Sequence, residues 1–145
     1  MESTPCNVPP KISLGSLPDH TRPVMDFNDS SFFKIRGQKL PEPPKVNTRR
    51  NGIVTFPELK LVIKYGPFTT VDEAVTMWAV KKHLGHTVPV PELYGWRVRQ
   101  GTVFIYMELI PGTTLRDCWN DLAFSDKEAI CLHERNTDGC CQTGM

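Results

Sequence analysis

The sequence predicts an α+β fold in which short antiparallel strands surround one long helix. Three observations lead to this prediction. Residues 59–65 alternate apolar side chains as a strand does, and residues 71–84 carry apolar residues at helical spacing. Residues 93–98 and 102–107 form two further apolar runs, joined by a turn that contains glycine. The last run is apolar almost throughout, so we expect both of its faces to be covered.

Lys64 lies near the end of the first of these strands, inside an apolar run. Alternate residues of a strand face opposite ways, so Lys64 shares a face with Val62 and points away from Leu61 and Ile63. A lysine in such a position needs an anion close by. Glu73 offers one, because it falls on an apolar stripe of the following helix. The pattern therefore predicts a partly buried Lys64–Glu73 pair.

Each member of this pair also has a purely structural interpretation. The four residues from Thr70 to Glu73 match the capping box, in which the Glu73 carboxylate reaches back to the Thr70 amide. Lys64 could instead extend its charged end into water from the end of the strand. The two residues alone leave both interpretations open.

Turn and capping signals delimit the other elements. Asn51-Gly52 is a candidate hairpin tip, followed by a strand at residues 53–56. Residues 114–117 and 125–128 are two further capping boxes, and each is expected to open a helix.

Composition divides the chain into three segments. Residues 1–44 hold eight of the thirteen prolines and show little periodicity. We therefore expect a poorly ordered lead-in that builds no sheet interior, in which residues 30–33 could still dock as a short helix or strand. Residues 45–122 contain the predicted strands and the helix between them. Residues 123–145 begin as a helix, but from Cys131 they lose helical periodicity and are expected to form an irregular tail.

Composition also excludes several classes of function. The net charge of +1 offers no broad basic surface for nucleic acid or for an anionic membrane. No run has the length of a membrane span and the first residues lack a signal-peptide pattern, so we expect a cytoplasmic protein. The five cysteines are odd in number and lack CxxC spacing, which fits a reducing compartment. Cys131, His133, Cys140 and Cys141 fit no common zinc spacing, so we predict no metal site.

Five stretches of the sequence resemble the aminoglycoside phosphotransferase and choline-kinase-like family, particularly its fungal members. They are LVIKYG (61–66), VDEAVTMWAVKKH (71–83), VPVPELYGWRV (88–98), VFIYMELIPGTTL (103–115) and WNDL (119–122). The VPVPE-x-YGW and IPG-x-x-L motifs are specific when they occur together, while SSFFKIRG (30–37) and LPEPPKV (40–46) match more loosely. The resemblance implies a protein-kinase-like N-terminal lobe, an antiparallel sheet with one packed helix, followed by only the start of the helical lobe.

The resemblance assigns an ATP-binding role to seven residues. It implies that Lys64 contacts the α- and β-phosphates of ATP and that Glu73 orients this lysine. It also implies that Val62 packs against the adenine ring, and that backbone groups of the linker between the lobes hydrogen-bond adenine. The linker residues are Met107, Glu108, Leu109 and Ile110. ATP is thus the implied cofactor, with Mg²⁺ expected for full-length members of the family.

Two features depart from the family pattern. Gly52 is the only glycine in residues 46–56, where protein kinases have a glycine-rich loop over the phosphates. We therefore assign no phosphate-binding residue in this segment. After Leu122 the sequence has neither a His-Gly-Asp-like catalytic loop nor the later acidic motif, which supply the catalytic aspartate and the metal ligands. We therefore expect a truncated member of the family that is inactive as this chain, with no catalytic and no metal-binding residue assigned.

Two other interpretations stay open. The chain could be a non-catalytic module that binds a nucleotide, or that docks on another protein through an exposed surface of Leu115, Trp119 and Leu122. It could also be a gene fragment without a function of its own. Because these three residues are expected to pack against a larger lobe, their exposure predicts a marginally stable, aggregation-prone chain.

Overall fold

A computed structural model describes residues 13–37 and 39–138, which contain one antiparallel sheet and several helices. The strands are β1 (Val24–Asp26), β2 (Gly52–Phe56), β3 (Leu61–Gly66), β4 (Leu93–Arg99) and β5 (Thr102–Glu108), in the order β1-β4-β5-β3-β2. The helices are α1 (Ser31–Arg36), α2 (Val71–Leu84), α3 (Leu115–Cys118) and α4 (Phe124–Asp138), with 3-10 turns at Leu14–Ser16, Pro57–Leu59 and Trp119–Asp121. The predicted α+β class with an antiparallel sheet is confirmed.

The chain divides into two compact units, Met1–Ile110 and Pro111–Met145. The first unit contains the whole sheet together with α1 and α2, and the second contains α3 and α4. The predicted lysine–glutamate pair therefore belongs to the first unit alone.

A hydrophobic core lies on each face of the sheet. The first core is built from alternate residues of β3 and β5 and from the segment around α1; its buried residues are Phe32, Leu40, Leu61, Ile63, Tyr94, Phe104 and Tyr106. The second core lies under α2; its buried residues are Ala74, Leu93, Trp96 and Ile105. β5 contributes to both cores, so the prediction that both of its faces are covered is confirmed.

The β2–β3 hairpin turns at Pro57–Leu59, and the prediction of a tip at Asn51-Gly52 is wrong. Proline suits the first position of a 3-10 turn because its fixed φ is already helical and its missing N–H is not needed there. Lys60, with φ 50°, then reverses the chain into β3. The strand therefore begins at Leu61 rather than at residue 59, while its side chains still alternate as predicted.

Part of residues 1–44, expected to be a poorly ordered lead-in, belongs to the fold. β1 pairs antiparallel with β4 and forms one edge of the sheet. Gly95 permits this pairing, because a Cβ at that position would lie 2.2 Å from the Met25 carbonyl oxygen. Arg97 then pairs with Asp26 over 2.7 Å. A three-residue strand carries no periodicity of its own, so its place in the sheet depends on β4.

Helix α1 anchors the segment that precedes β2. The sequence predicts either a short helix or a strand at residues 30–33, and the structure has the helix. Phe32 is buried in the first core. The Ser31 N–H donates to the Glu92 carboxylate over 2.8 Å, and the Ser31 hydroxyl donates to its other oxygen. A carboxylate at the first turn of a helix complements the unpaired N–H groups there.

Helix α4 extends further than the sequence predicts. It begins at Phe124, so Ser125 lies inside the helix and not at its cap, and it continues to Asp138. The prediction of an irregular tail from Cys131 is thus wrong as far as Asp138, because a helix that has already begun gains one backbone hydrogen bond per added residue and can continue through residues of modest propensity. Residues 139–145, the rest of that predicted tail, lie outside the described residues. Thr114 caps α3 as predicted, accepting from the Asp117 N–H over 3.2 Å.

We predict that Gly66→Ala strongly destabilises the first unit. Gly66 has φ +138°, and a Cβ there would lie 2.1 Å from the Asn51 Oδ1 and 2.5 Å from its Cα. Strain and overlap together should lower the free energy of unfolding by about 3 kcal/mol, measured by urea denaturation. The matched control is Gly101→Ala, where φ is +76° but no neighbouring atom lies within 4 Å; it should cost only about 1 kcal/mol. Equal losses in the two variants would contradict this account.

We also predict a loss of stability at high pH that depends on Tyr106. Burial raises the pKa of Tyr106 to about 12, and its hydroxyl donates to the Pro41 carbonyl over 2.8 Å. Between the ordinary tyrosine pKa of about 10 and pH 12, the unfolded chain ionises first, so stability should fall by about 1.4 kcal/mol per pH unit from this group.

The variant that checks this prediction is Tyr106→Phe. It should be less stable by about 1 kcal/mol at pH 8, because the Pro41 carbonyl loses its donor. Its stability should then decline less steeply than that of the parent chain between pH 10 and pH 12. Urea denaturation of both chains across this range tests the difference, and parallel curves would refute it.

Candidate functional site

The Lys64–Glu73 ion pair predicted from the sequence is present. The Lys64 Nζ donates to the Glu73 Oε1, and the two side chains are 40% and 32% exposed. The Thr70 hydroxyl also accepts from the Glu73 N–H over 3.2 Å, so the backbone half of the capping box forms as well. The Glu73 carboxylate, however, is directed to Lys64. Of the capping box, the Thr70 bond to the Glu73 amide forms, whereas the Glu73 carboxylate pairs with Lys64 as the other interpretation predicts.

The connection from β3 to α2 sets the geometry of this pair. Gly66 ends β3, and its carbonyl accepts from the Thr69 N–H over 3.1 Å. The Asn51 Oδ1, at the start of β2, accepts from the Phe68 N–H over 3.2 Å. These bonds tie the loop both to its own strand and to the neighbouring one. The first turn of α2, and with it Glu73, is thereby held beside Lys64.

A largely apolar strip of side chains lies next to Lys64, on the face of the sheet against which α2 packs. Val62 lies two residues before Lys64 on this face, and the strand register puts Met107 of β5 and Thr55 of β2 on either side of it. Ile53 lies directly across from Lys64 and is 65% exposed. Val62 and Met107 are half-buried and Thr55 is exposed. We call Ile53, Thr55, Val62 and Met107 the open strip, because it is partly accessible to solvent.

Glu108 does not point into the open strip. Its carboxylate accepts from the Glu92 N–H over 3.1 Å, and its own N–H donates to the Glu92 carbonyl over 2.8 Å. Because the Met107 side chain belongs to the strip, and side chains alternate along β5, the Glu108 side chain lies on the opposite face of the sheet. Of the four predicted linker residues, Glu108 thus has its amide and its carboxylate engaged within the first unit.

The two last linker residues differ in what their backbone groups can bind. The Leu109 N–H donates to the Lys60 carbonyl over 2.9 Å, so it already has a protein acceptor. For the Leu109 and Ile110 carbonyls and for the Ile110 N–H, no backbone partner is found within the described ranges. A ligand at the end of the open strip could therefore use these three groups and not the Leu109 amide. The pairing of Lys60 with Leu109 follows from the hairpin geometry and has no local signal in the sequence.

Two cavities of the first unit lie away from this pair. One, of about 430 Å³, lies near the β4–β5 turn and is lined in part by Lys45, Arg99 and Phe104. The other, of about 200 Å³, is lined in part by Phe27 and Trp78. Neither includes Lys64 or Glu73. Neither is apparent from the sequence, because both depend on loops that approach the sheet from distant positions.

The second unit presents part of the predicted apolar surface. Leu115 is 41% exposed, while Trp119 and Leu122 are half-buried. The Lys127 ammonium lies 5.5 Å from the centre of the Trp119 ring, which gives that ring a cation on one face. Phe124 is also exposed in this unit.

The residues considered for zinc do not come together as a described site. Cys131 and His133 lie exposed on α4, while Cys140 and Cys141 fall outside the described residues. In the part of the chain that the structure describes, no group of three or more His, Cys, Asp or Glu side chains is arranged to hold a metal ion.

Comparisons with known proteins identify no relative. No family model, no curated protein and no solved structure matches the chain at a significant level. None of the helices in residues 13–37 and 39–138 combines the length and apolarity that crossing a bilayer requires. The function of the chain has to be inferred from the geometry of the site itself.

Proposed function

We propose that this chain is the nucleotide-binding lobe of a kinase of the aminoglycoside phosphotransferase and choline-kinase-like type. The observation that carries the proposal is the Lys64–Glu73 ion pair at the end of the open strip. A lysine held by a carboxylate, partly exposed and next to an apolar surface, is suited to bind a phosphate group whose organic part lies on that surface.

The adenine ring and the phosphates of ATP match groups that follow one another along this surface. The adenine ring would lie on Val62 and Met107, and its edge would meet the free backbone groups of Leu109 and Ile110. The phosphates would then reach Lys64, with Glu73 keeping the ammonium in place. The sheet order and the single helix packed on this face are also compatible with the small lobe of a protein-kinase-like fold.

The proposal covers binding and not catalysis. Phosphoryl transfer depends on positioning and on neutralising charge, and residues 123–145 include no His-Gly-Asp-like loop to supply the catalytic aspartate. No candidate Mg²⁺ ligand set occurs among the described residues, so we derive no metal-dependent step. We propose no phosphate acceptor, because nothing in these residues distinguishes one class from another.

A protein-docking role is the second candidate. It is favoured by the exposed apolar side chains of the second unit, with Leu115 and Phe124 the clearest examples. In that case the chain would act through Leu115, Trp119 and Leu122 and would not need a nucleotide. The two candidates involve separate units and are tested separately.

The test of nucleotide binding is calorimetric titration of the purified chain with ATP and with ADP, with and without magnesium. We expect saturable binding, and we expect Lys64→Ala to weaken it about tenfold or more because a charge-assisted contact to phosphate is lost. Glu73→Gln should weaken it less, because the lysine remains but is no longer held by a charge.

Lys60→Ala is the matched control. Lys60 is exposed, lies four residues earlier in the chain and falls outside the strand face that carries Lys64. It should leave affinity unchanged. A folded chain that binds neither nucleotide would refute the proposal and would favour the docking role. Equal effects of Lys60→Ala and Lys64→Ala would show that binding, if present, does not use the proposed site.

A further inference from the structure

The two edges of the sheet are built differently. β1 has three residues, follows Pro23 and ends at Asp26. Short length, proline and charge are the features by which proteins prevent an edge strand from pairing with another chain. β2, at the other edge, is longer, and none of its five residues, Gly52–Phe56, is a proline or carries a charge, although Pro57 follows it directly. Ile53 is also 65% exposed.

The outer side of β2 has backbone groups available for pairing. All five residues pair with β3 on the inner side. Within residues 13–37 and 39–138, no further backbone hydrogen bond reaches β2 from its outer side. An antiparallel edge strand directs about half of its N–H and C=O groups outward, and an added strand can satisfy them.

We propose that β2 pairs antiparallel with β2 of a second copy of this chain, about a two-fold axis that passes between the two Val54 residues. Two-fold interfaces bring the same surface of both copies together, and an antiparallel strand pair has this symmetry. The pairing would join two five-stranded sheets into one continuous sheet. It does not depend on nucleotide binding.

The sequence of β2 is complementary to itself in this register. With Val54 opposite Val54, Ile53 of each copy faces Thr55 of the other, and Gly52 faces Phe56. Pairs of β-branched residues stabilise adjacent strands, and the Tyr65 ring of the same copy already covers the backbone of Gly52, so Ile53, Val54 and Thr55 carry the pairing. Phe56 already packs against the first core, so the interface would extend that core.

The residues that flank β2 add charge complementarity. If the register is continued two residues past each end of the strand, Arg50 of one copy comes opposite Glu58, which lies in the Pro57–Leu59 turn of the other, and the two-fold axis repeats this approach at the opposite end. Within one copy, Arg50 and Glu58 lie beyond opposite ends of a five-residue strand, which is about 17 Å long. They can therefore interact between copies and not within one. This charge pattern favours a second copy over an unrelated strand as the partner.

Analytical ultracentrifugation of the full chain over a wide range of concentrations tests the proposal. We expect a reversible monomer–dimer equilibrium. Arg50→Glu and Glu58→Arg should each weaken the dimer about tenfold or more, because each puts like charges together at both ends of the interface. The double variant should restore the parent affinity. Lys34→Glu, which makes the same charge change on exposed α1, is the control and should have no effect.

Hydrogen exchange gives a second readout that does not depend on these variants. Amides of β2 should gain protection as the concentration rises, while those of β1, the other edge, should not. A chain that stays monomeric throughout would overturn the proposal. A double variant that dimerises as weakly as the single variants would also overturn the proposal. Association without any change in β2 protection would also overturn it, and would place the contact elsewhere, such as on the apolar side chains of the second unit.

Discussion

The pairing of β3 with β5 positions both hydrophobic cores of the first unit. Four residues of these two strands are completely buried, and they pack into the cores on opposite faces of the sheet. The first core contains Leu61, Ile63 and Tyr106, and the second contains Ile105. Because alternate residues face opposite ways, this arrangement also decides where Lys64 points. Because Leu61 and Ile63 are buried in the first core, the Lys64 side chain lies on the opposite face of the sheet, against which α2 packs, beside Glu73.

The ion pair itself contributes little to folding. Its side chains are about a third or more exposed, and such pairs are worth at most about 1 kcal/mol. Its position is secured instead by neutral interactions, chiefly the hydrogen bond from the Phe68 N–H to Asn51 and the close approach of Gly66 to Asn51. A charged pair that adds little stability, held by a stiff loop beside an accessible apolar strip, is the arrangement expected of a binding site rather than of a core feature.

The open strip and the β2 edge are two consequences of one feature. β2 is the last strand of the sheet, so nothing among the described residues pairs with its outer side, and its residues Ile53 and Thr55 stay exposed on the face that carries Lys64. Pairing of β2 with a second copy would lengthen the sheet next to the proposed nucleotide site without covering Lys64. The exposed side chains of the second unit belong to a separate part of the chain, whose described residues form α3, the 3-10 turn at Trp119–Asp121 and α4.

Features that depend on a few neighbouring residues can be predicted from the sequence. Strand alternation and helical spacing predict the face of Lys64, the span of α2 and the pair with Glu73, and the Thr114 cap is equally local. The pairings between distant segments depend on tertiary packing. Gly95 admits β1 to the sheet, and Pro57 moves the hairpin tip away from Asn51-Gly52. The Lys60 carbonyl accepts from the amide of Leu109, one of the linker residues to which the resemblance assigns adenine binding. Periodicity and capping are encoded within one or two turns of chain, whereas strand partners and hydrogen-bond acceptors are chosen by packing between residues far apart in sequence.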